Sequence, residues 1–207
     1  MIRGSKICGI SDSKTLTYLI DHPHHPLFVG FITNFKKSPR YVEIENLKKL
    51  LNVNKKKVKF VSVLVNPDEE ILDKIKELNF DYYQLYDVDP VRTKFIKKKY
   101  NVKIITALTI EKKKDVNDYI LYENISDIIL FDGKGYEKSI GFDHKLLGKI
   151  PGHINVMIAG NISQDNIPIL NDMEYFIDIS GALEDERGKK DLQKINIFLN
   201  NVYKYET

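Results

Sequence analysis

The chain has 207 residues, 43% of them hydrophobic and 29% charged, with a net charge of +3, which fits one barrel-sized globular unit and leaves no length for a second. One cysteine excludes an internal disulfide, and no run approaches the roughly 18 apolar residues that a membrane span needs. The first five residues lack the apolar core of a secretory signal, so a cytoplasmic chain with a reduced thiol is expected.

Residues 6–10 are the first of eight short β-rich apolar runs; the others are 28–32, 58–65, 82–85, 103–108, 127–132, 154–159 and 175–180. Helix-patterned stretches alternate with them. That alternation predicts βαβ units and a parallel sheet, here an α/β (β/α)8 TIM barrel forming a single domain over residues 1–207. Enzymes of this architecture work at the carboxyl ends of the strands, so those positions carry the functional expectations.

In the first strand, alternation sets Lys6 and Cys8 into the barrel and Ile7 against the helices. A lone buried cysteine is ordinarily an inert core residue. At the mouth of a barrel, beside a lysine that favours the thiolate, Cys8 becomes a candidate for chemistry. A helix is predicted over 13–20, followed by a Pro/His loop carrying His22, His24 and His25. Its position after a helix puts it on the face opposite the chemistry, so a plain loop and no metal are expected.

The long loop after the second strand contains Arg40, whose guanidinium can grip a carboxylate with two parallel hydrogen bonds; a surface arginine is the plain alternative. The lysine runs at 55–57, 97–99 and 112–114 are spread along the sequence and read as solvated surface rather than a nucleic-acid footprint. In the sixth run an inward apolar face ends in Asp132, either a loop-capping carboxylate or a general acid with its pKa raised by burial. Asp178, inward on the eighth strand, reads as a buried, hydrogen-bonded support.

Two small polar loops close the series. Gly160-Asn161-Ile162 precedes a possible helix start at Ser163-Gln164-Asp165, and Ser180-Gly181-Ala182 comes before Gly188 and a helix predicted over 190–203. Backbone N–H groups in such loops, near helix amino termini, can cradle a phosphate.

The motifs taken together resemble the phosphoribosylanthranilate isomerase family of tryptophan biosynthesis. Lys6-Ile7-Cys8-Gly9-Ile10 is similar to its KICGI opening, and Val29-Gly30-Phe31-Ile32 with Lys37-Ser38-Pro39-Arg40-Tyr41 to its VGFIF…KSPRY segment. Val65-Asn66, Gln84-Leu85 and Leu130-Phe131-Asp132-Gly133-Lys134 fit further strands, and Asp178-Ile179-Ser180 with Glu184, Gly188, Lys189, Lys190 and Asp191 keeps the spacing of its ending. The chain departs from the family at Tyr86-Asp87 (usually HG), in the loop from Lys138 through Ser139 and Ile140 to His144, at Asn161, and at Gly181-Ala182. There side chains replace glycines where positive φ is harder to reach; Asn161 is expected to follow the glycine path, and Ala182 to take a negative φ.

The resemblance implies an Amadori rearrangement without metal or cofactor: Asp132 the acid, Cys8 as thiolate the base, and Arg40 holding the anthranilate carboxylate. Lys6, Gln84 and Asp178 would complete the substrate site, with Gly160, Asn161, Ser180, Gly181 and Ala182 binding phosphate. The expected partner is an anionic sugar phosphate, with no nucleic acid, no membrane and a monomeric chain. Two alternatives stay open: another sugar-phosphate isomerase or aldolase, for which only Lys6 could form a Schiff base, and a phosphate-binding barrel without turnover.

Overall fold

A computed structural model describes residues 1–133, 135, 141–163, 165–167 and 173–206. Lys134, Lys138, Ser139, Ile140 and Gln164, drawn on above, lie outside the described residues. Eight parallel strands close into a barrel in sequence order: β1 (Ile2–Cys8), β2 (Phe28–Ile32), β3 (Lys59–Val65), β4 (Tyr82–Tyr86), β5 (Lys103–Ile110), β6 (Ile128–Gly133), β7 (Val156–Ile158) and β8 (Tyr175–Ile179). β1 pairs with β8, Lys6 opposite Asp178, which completes the ring.

Strand alternation sorts the apolar side chains into two cores. Phe28, Val61, Val63, Ile105, Leu130, Met157 and Phe176 fill the barrel, with Phe28 edge-on to both Tyr82 and Phe176 at the floor. Ile7, Val29, Phe31, Phe60 and Ile129 pack outward under the helices. Cys8 belongs to the inner set, as its parity requires.

The helices are α1 (Ser13–Asp21), α2 (Ile44–Leu50), α3 (Glu69–Ile75), α4 (Pro90–Tyr100) and α5 (Leu192–Tyr203). Asp12, Asp68, Asp89 and Asp191 cap α1, α3, α4 and α5, each carboxylate accepting first-turn N–H groups, a contribution of about 1 kcal/mol apiece. After β5 and β6 the chain forms 3-10 turns, Lys113–Leu121 and His144–Lys149, instead of α-helices. Among the described residues no helix follows β7. There the side chain of Asn166 closes the turn by accepting from Ser163 N (2.6 Å) and donating to Asn161 O (2.7 Å).

The predicted final helix is also corrected at its start. Lys190 sits in a short hairpin, β9 (Glu184–Glu186) with β10 (Lys189–Lys190), and α5 begins only after the Asp191 cap. Two of the lysine runs are occupied locally: Lys55 pairs with Asp81, Lys56 with Asp21 and Lys97 with Asp127. His22 contacts Asn196 Oδ1 at 3.0 Å and His24 stacks on Tyr203, so the histidine loop is anchored to α5. Among the described residues no group of three His, Cys, Asp or Glu side chains could hold a metal, and no helix is long and apolar enough to cross a membrane.

Candidate active site

At the carboxyl end of β1, space is made by a missing side chain next door. Gly30 on β2 lies opposite Cys8, and a Cβ there would stand 3.0 Å from both Cys8 Sγ and Lys6 Cε. Lys6 is wholly buried, and its Nζ meets Asp178 Oδ2 at 2.7 Å. Burial opposes the charge on Lys6, but the facing Asp178 and Cys8 outweigh it and hold the ammonium protonated. Lys6 is therefore enclosed beneath the cavity and is not among the residues lining it, which corrects its expected contact with substrate. Asp178 does line the cavity, and its second oxygen, Oδ1, is buried with no hydrogen-bond partner among the described residues.

Cys8 is also revised. Burial, the largest influence, and Asp178 push the thiol up, outweighing the pull toward the thiolate from Lys6, expected from the sequence, and from Lys190, which was not. A neighbouring lysine is legible in sequence; the depth of burial that outweighs it is not.

Arg40 crosses over Gly9, whose φ of 80° and absent side chain both matter: a Cβ there would lie 2.3 Å from Arg40 Cδ. Arg40 is buried, not a surface arginine, and its Nε and Nη2 donate to Glu184 Oε1 (2.6 Å) and Oε2 (2.9 Å). The fork expected to grip a ligand carboxylate is thus taken by an internal one, leaving the Nη1 end, which has no hydrogen bond among the described residues. Lys190 donates to Glu184 Oε1 at 2.7 Å and to Ser180 O at 3.0 Å. Burial alone would raise Glu184, but Arg40, Lys190 and the Gly188 N–H reverse this and hold it at about 2.

On the other side of the mouth stands a residue that the sequence places at a strand's carboxyl end, among the functional candidates, without giving it a role. Tyr86, at the end of β4, donates its hydroxyl to Asp132 Oδ2 at 2.9 Å, and Gln84 Nε2 donates to the Tyr86 oxygen at 3.2 Å. Gln84 is fully buried one layer down and does not line the cavity, so its expected substrate contact is replaced by a contact with Tyr86. Burial and the adjacent Asp132 push the phenol well above its ordinary value. Inward parity at a strand's carboxyl end was the signal available for Tyr86.

The two small loops converge as expected. Gly160 and Asn161 have φ of 81° and 54°, so asparagine does follow the left-handed path. Asp87, also standing where the family usually has glycine, reaches φ 55°. Ala182 has no positive φ; it lies in a 3-10 turn, Gly181–Leu183, behind Ser180, whose Oγ donates to Cys8 O at 3.0 Å.

All of this opens on one cavity of about 780 Å³, the size of a small-molecule site. Cys8, Arg40, Tyr86, Asp132 and Asp178 line it together with Gly160, Asn161, Ser180, Gly181 and Ala182. Ile32, Phe35, Val63 and Val65 supply an apolar wall. The arrangement offers a carboxyl group, a thiol, a guanidinium and two small polar loops to one small ligand.

Comparison with known proteins gives a consistent result. The family model described as N-(5'phosphoribosyl)anthranilate (PRA) isomerase matches residues 5–201. N-(5'-phosphoribosyl)anthranilate isomerase from Chelativorans sp. (strain BNC1) is 32% identical over 208 aligned positions, covering 95% of this chain and 94% of its own. The crystal structure of phosphoribosyl anthranilate isomerase from Thermotoga maritima superposes with a TM-score of 0.84 at 24% identity, covering 99% of this chain and 100% of that one. A second crystal structure, of phosphoribosyl anthranilate isomerase in complex with reduced 1-(o-carboxyphenylamino)-1-deoxyribulose 5-phosphate, gives 0.82 at 23% identity with the same coverage.

Proposed function

The chain belongs to the N-(5'-phosphoribosyl)anthranilate isomerase family, and from that premise we propose how its own residues divide the work. The reaction is the Amadori rearrangement of N-(5-phosphoribosyl)anthranilate to 1-(2-carboxyphenylamino)-1-deoxyribulose 5-phosphate, a step of tryptophan biosynthesis. A proton goes to the furanose ring oxygen, the C1–O bond breaks, and the nitrogen lone pair forms an iminium. Loss of the C2 proton gives an enolamine, which tautomerises by taking a proton at C1 and releasing one from the C2 hydroxyl. One acid and one base serve all of these transfers.

Asp132 is the acid and Cys8 the base. The observation that carries this is their presence in one cavity with both anion-binding loops and Arg40. The raised thiol is compatible with the role: Lys6 and Lys190 already act against burial, and the iminium formed in the first step adds a third positive charge beside it. The phosphate sits between Gly160-Asn161 and Ser180-Gly181-Ala182 and is held mainly by backbone N–H groups. The anthranilate ring lies on the apolar wall, its carboxylate at the Nη1 end of Arg40, while Asp178 Oδ1 accepts from a sugar hydroxyl. The substrate is an anionic sugar phosphate, and the enzyme acts as a monomer in the cytoplasm, where a free thiol stays reduced.

The Schiff-base alternative is disfavoured because Lys6 is protonated and enclosed against Asp178. Fluorescence of the anthranilate substrate, followed with purified protein, tests the reading. Isomerisation that consumes the signal is expected; binding without turnover would favour a regulatory barrel, and absence of binding would favour a different sugar phosphate.

A further inference from the structure

We propose that Tyr86 is a positioning residue for the acid: its hydroxyl fixes which oxygen of Asp132 delivers the proton, and Gln84 fixes the direction of that hydroxyl. The proposal rests on the assignment of Asp132 as the acid.

The argument is one of donors and acceptors. The amide nitrogen of Gln84 can only donate, and it points at the Tyr86 oxygen from 3.2 Å. Occupied from that side, the phenol has a single proton to give, and it gives it to Asp132 Oδ2 at 2.9 Å. Burial, Asp132 on β6, Asp178 on β8 and Cys8 on β1 all favour the protonated phenol, so it stays a donor. Oδ2 is then committed as an acceptor, and the acidic proton resides on Oδ1.

Two consequences follow for the first chemical step. A furanose ring oxygen is a poor base, so a carboxyl whose ionised form is stabilised transfers its proton to it more readily. A hydrogen bond donated to a carboxylate strengthens as the negative charge develops, so the Tyr86 hydroxyl contributes more after proton transfer than before. Its removal is therefore felt in kcat and little in KM. It also raises the pKa of Asp132, since the charged form loses a donor.

The test measures kcat, KM and the pH dependence of kcat/KM for wild type, Tyr86→Phe, Tyr86→His and Asp132→Asn. Tyr86→Phe keeps the ring in place; it should lower kcat roughly 10- to 30-fold with KM within about twofold, and move the acidic limb upward, since Cys8, its thiol pushed up, sets the alkaline one. Tyr86→His returns an N–H donor and should recover most of the lost kcat. Wild-type kcat and an unmoved limb in Tyr86→Phe, with Asp132→Asn inactive, would overturn the positioning role while leaving the acid assignment intact. A fall in kcat with an unmoved limb and no recovery in Tyr86→His would reduce Tyr86 to a packing residue and also overturn it. Turnover by Asp132→Asn would remove the acid assignment itself, and the positioning role with it.

Discussion

On the β8–β1–β2 side of the cavity, side chains are held by buried ion pairs: Lys6 to Asp178 at 2.7 Å, Arg40 to Glu184 at 2.6 Å and Lys190 to Glu184 at 2.7 Å. On the β4–β6 side, Gln84, Tyr86 and Asp132 are joined by hydrogen bonds of 3.2 and 2.9 Å whose donors, an amide and a phenol, are uncharged. The difference bears on what each side can exchange. A buried charge stripped of its partner is strongly destabilising, so the ionic side is locked as a set. A neutral donor can be replaced by another donor, and Tyr86 and Asp87 on that side are among the places where the chain leaves the family's pattern, while Lys6, Arg40, Asp178, Glu184 and Lys190 keep it.

Breaking the ionic set should give the largest effect. Lys6→Met keeps the stem but leaves Asp178 buried and unpaired, and should cost about 3–5 kcal/mol, read as a lowered urea midpoint. Adding Asp178→Asn to that variant should restore part of the loss, since an amide is cheaper to bury than a lone carboxylate. Unchanged stability in Lys6→Met would mean that the pair is open to water and that the contrast between the two sides is overdrawn.

The next largest effect crosses the cavity. Cys8→Ala and Asp132→Asn should each lower kcat at least ~10²-fold without unfolding the barrel, because each removes one proton-transfer partner. Near-wild-type turnover in either variant would take that residue out of the mechanism.

Smaller again is Arg40→Ala, expected to raise KM for the anthranilate-bearing substrate roughly tenfold, while competition by ribulose 5-phosphate stays almost unchanged. Equal weakening of both ligands would put Arg40 at the phosphate instead.

The barrel itself was legible because its strands are short apolar runs with a fixed parity, which also oriented Cys8, Lys6, Asp132 and Asp178. The start of β1 was not: the pairing with β8 shifts register between Ile2 and Gly4, and Arg3, Gly4 and Ser5 do not read as strand. The 3-10 turns after β5 and β6 were hidden for a related reason, since their apolar residues keep a helical spacing while the hydrogen bonding is tighter. Within the site, what escaped were contacts between distant elements. Nothing near Arg40 in sequence announces that Glu184, 144 residues later, takes its fork. Nor does parity distinguish Gln84 from Tyr86; both face inward, and only the depth of each along β4 separates the supporting layer from the mouth. Motif glycines were visible as letters, but their reasons, room for Cys8 at Gly30 and passage of Arg40 over Gly9, are properties of packing.

A crystal structure of this protein with 1-(2-carboxyphenylamino)-1-deoxyribulose 5-phosphate bound tests the account most directly. It should show the phosphate at Gly160-Asn161 and Ser180-Gly181-Ala182, the sugar carbons between Cys8 Sγ and Asp132 Oδ1, and the carboxylate on the Nη1 side of Arg40 with Glu184 still in its fork. A phosphate seated by Lys36 and Lys37, or a sugar out of reach of either Cys8 or Asp132, would contradict it.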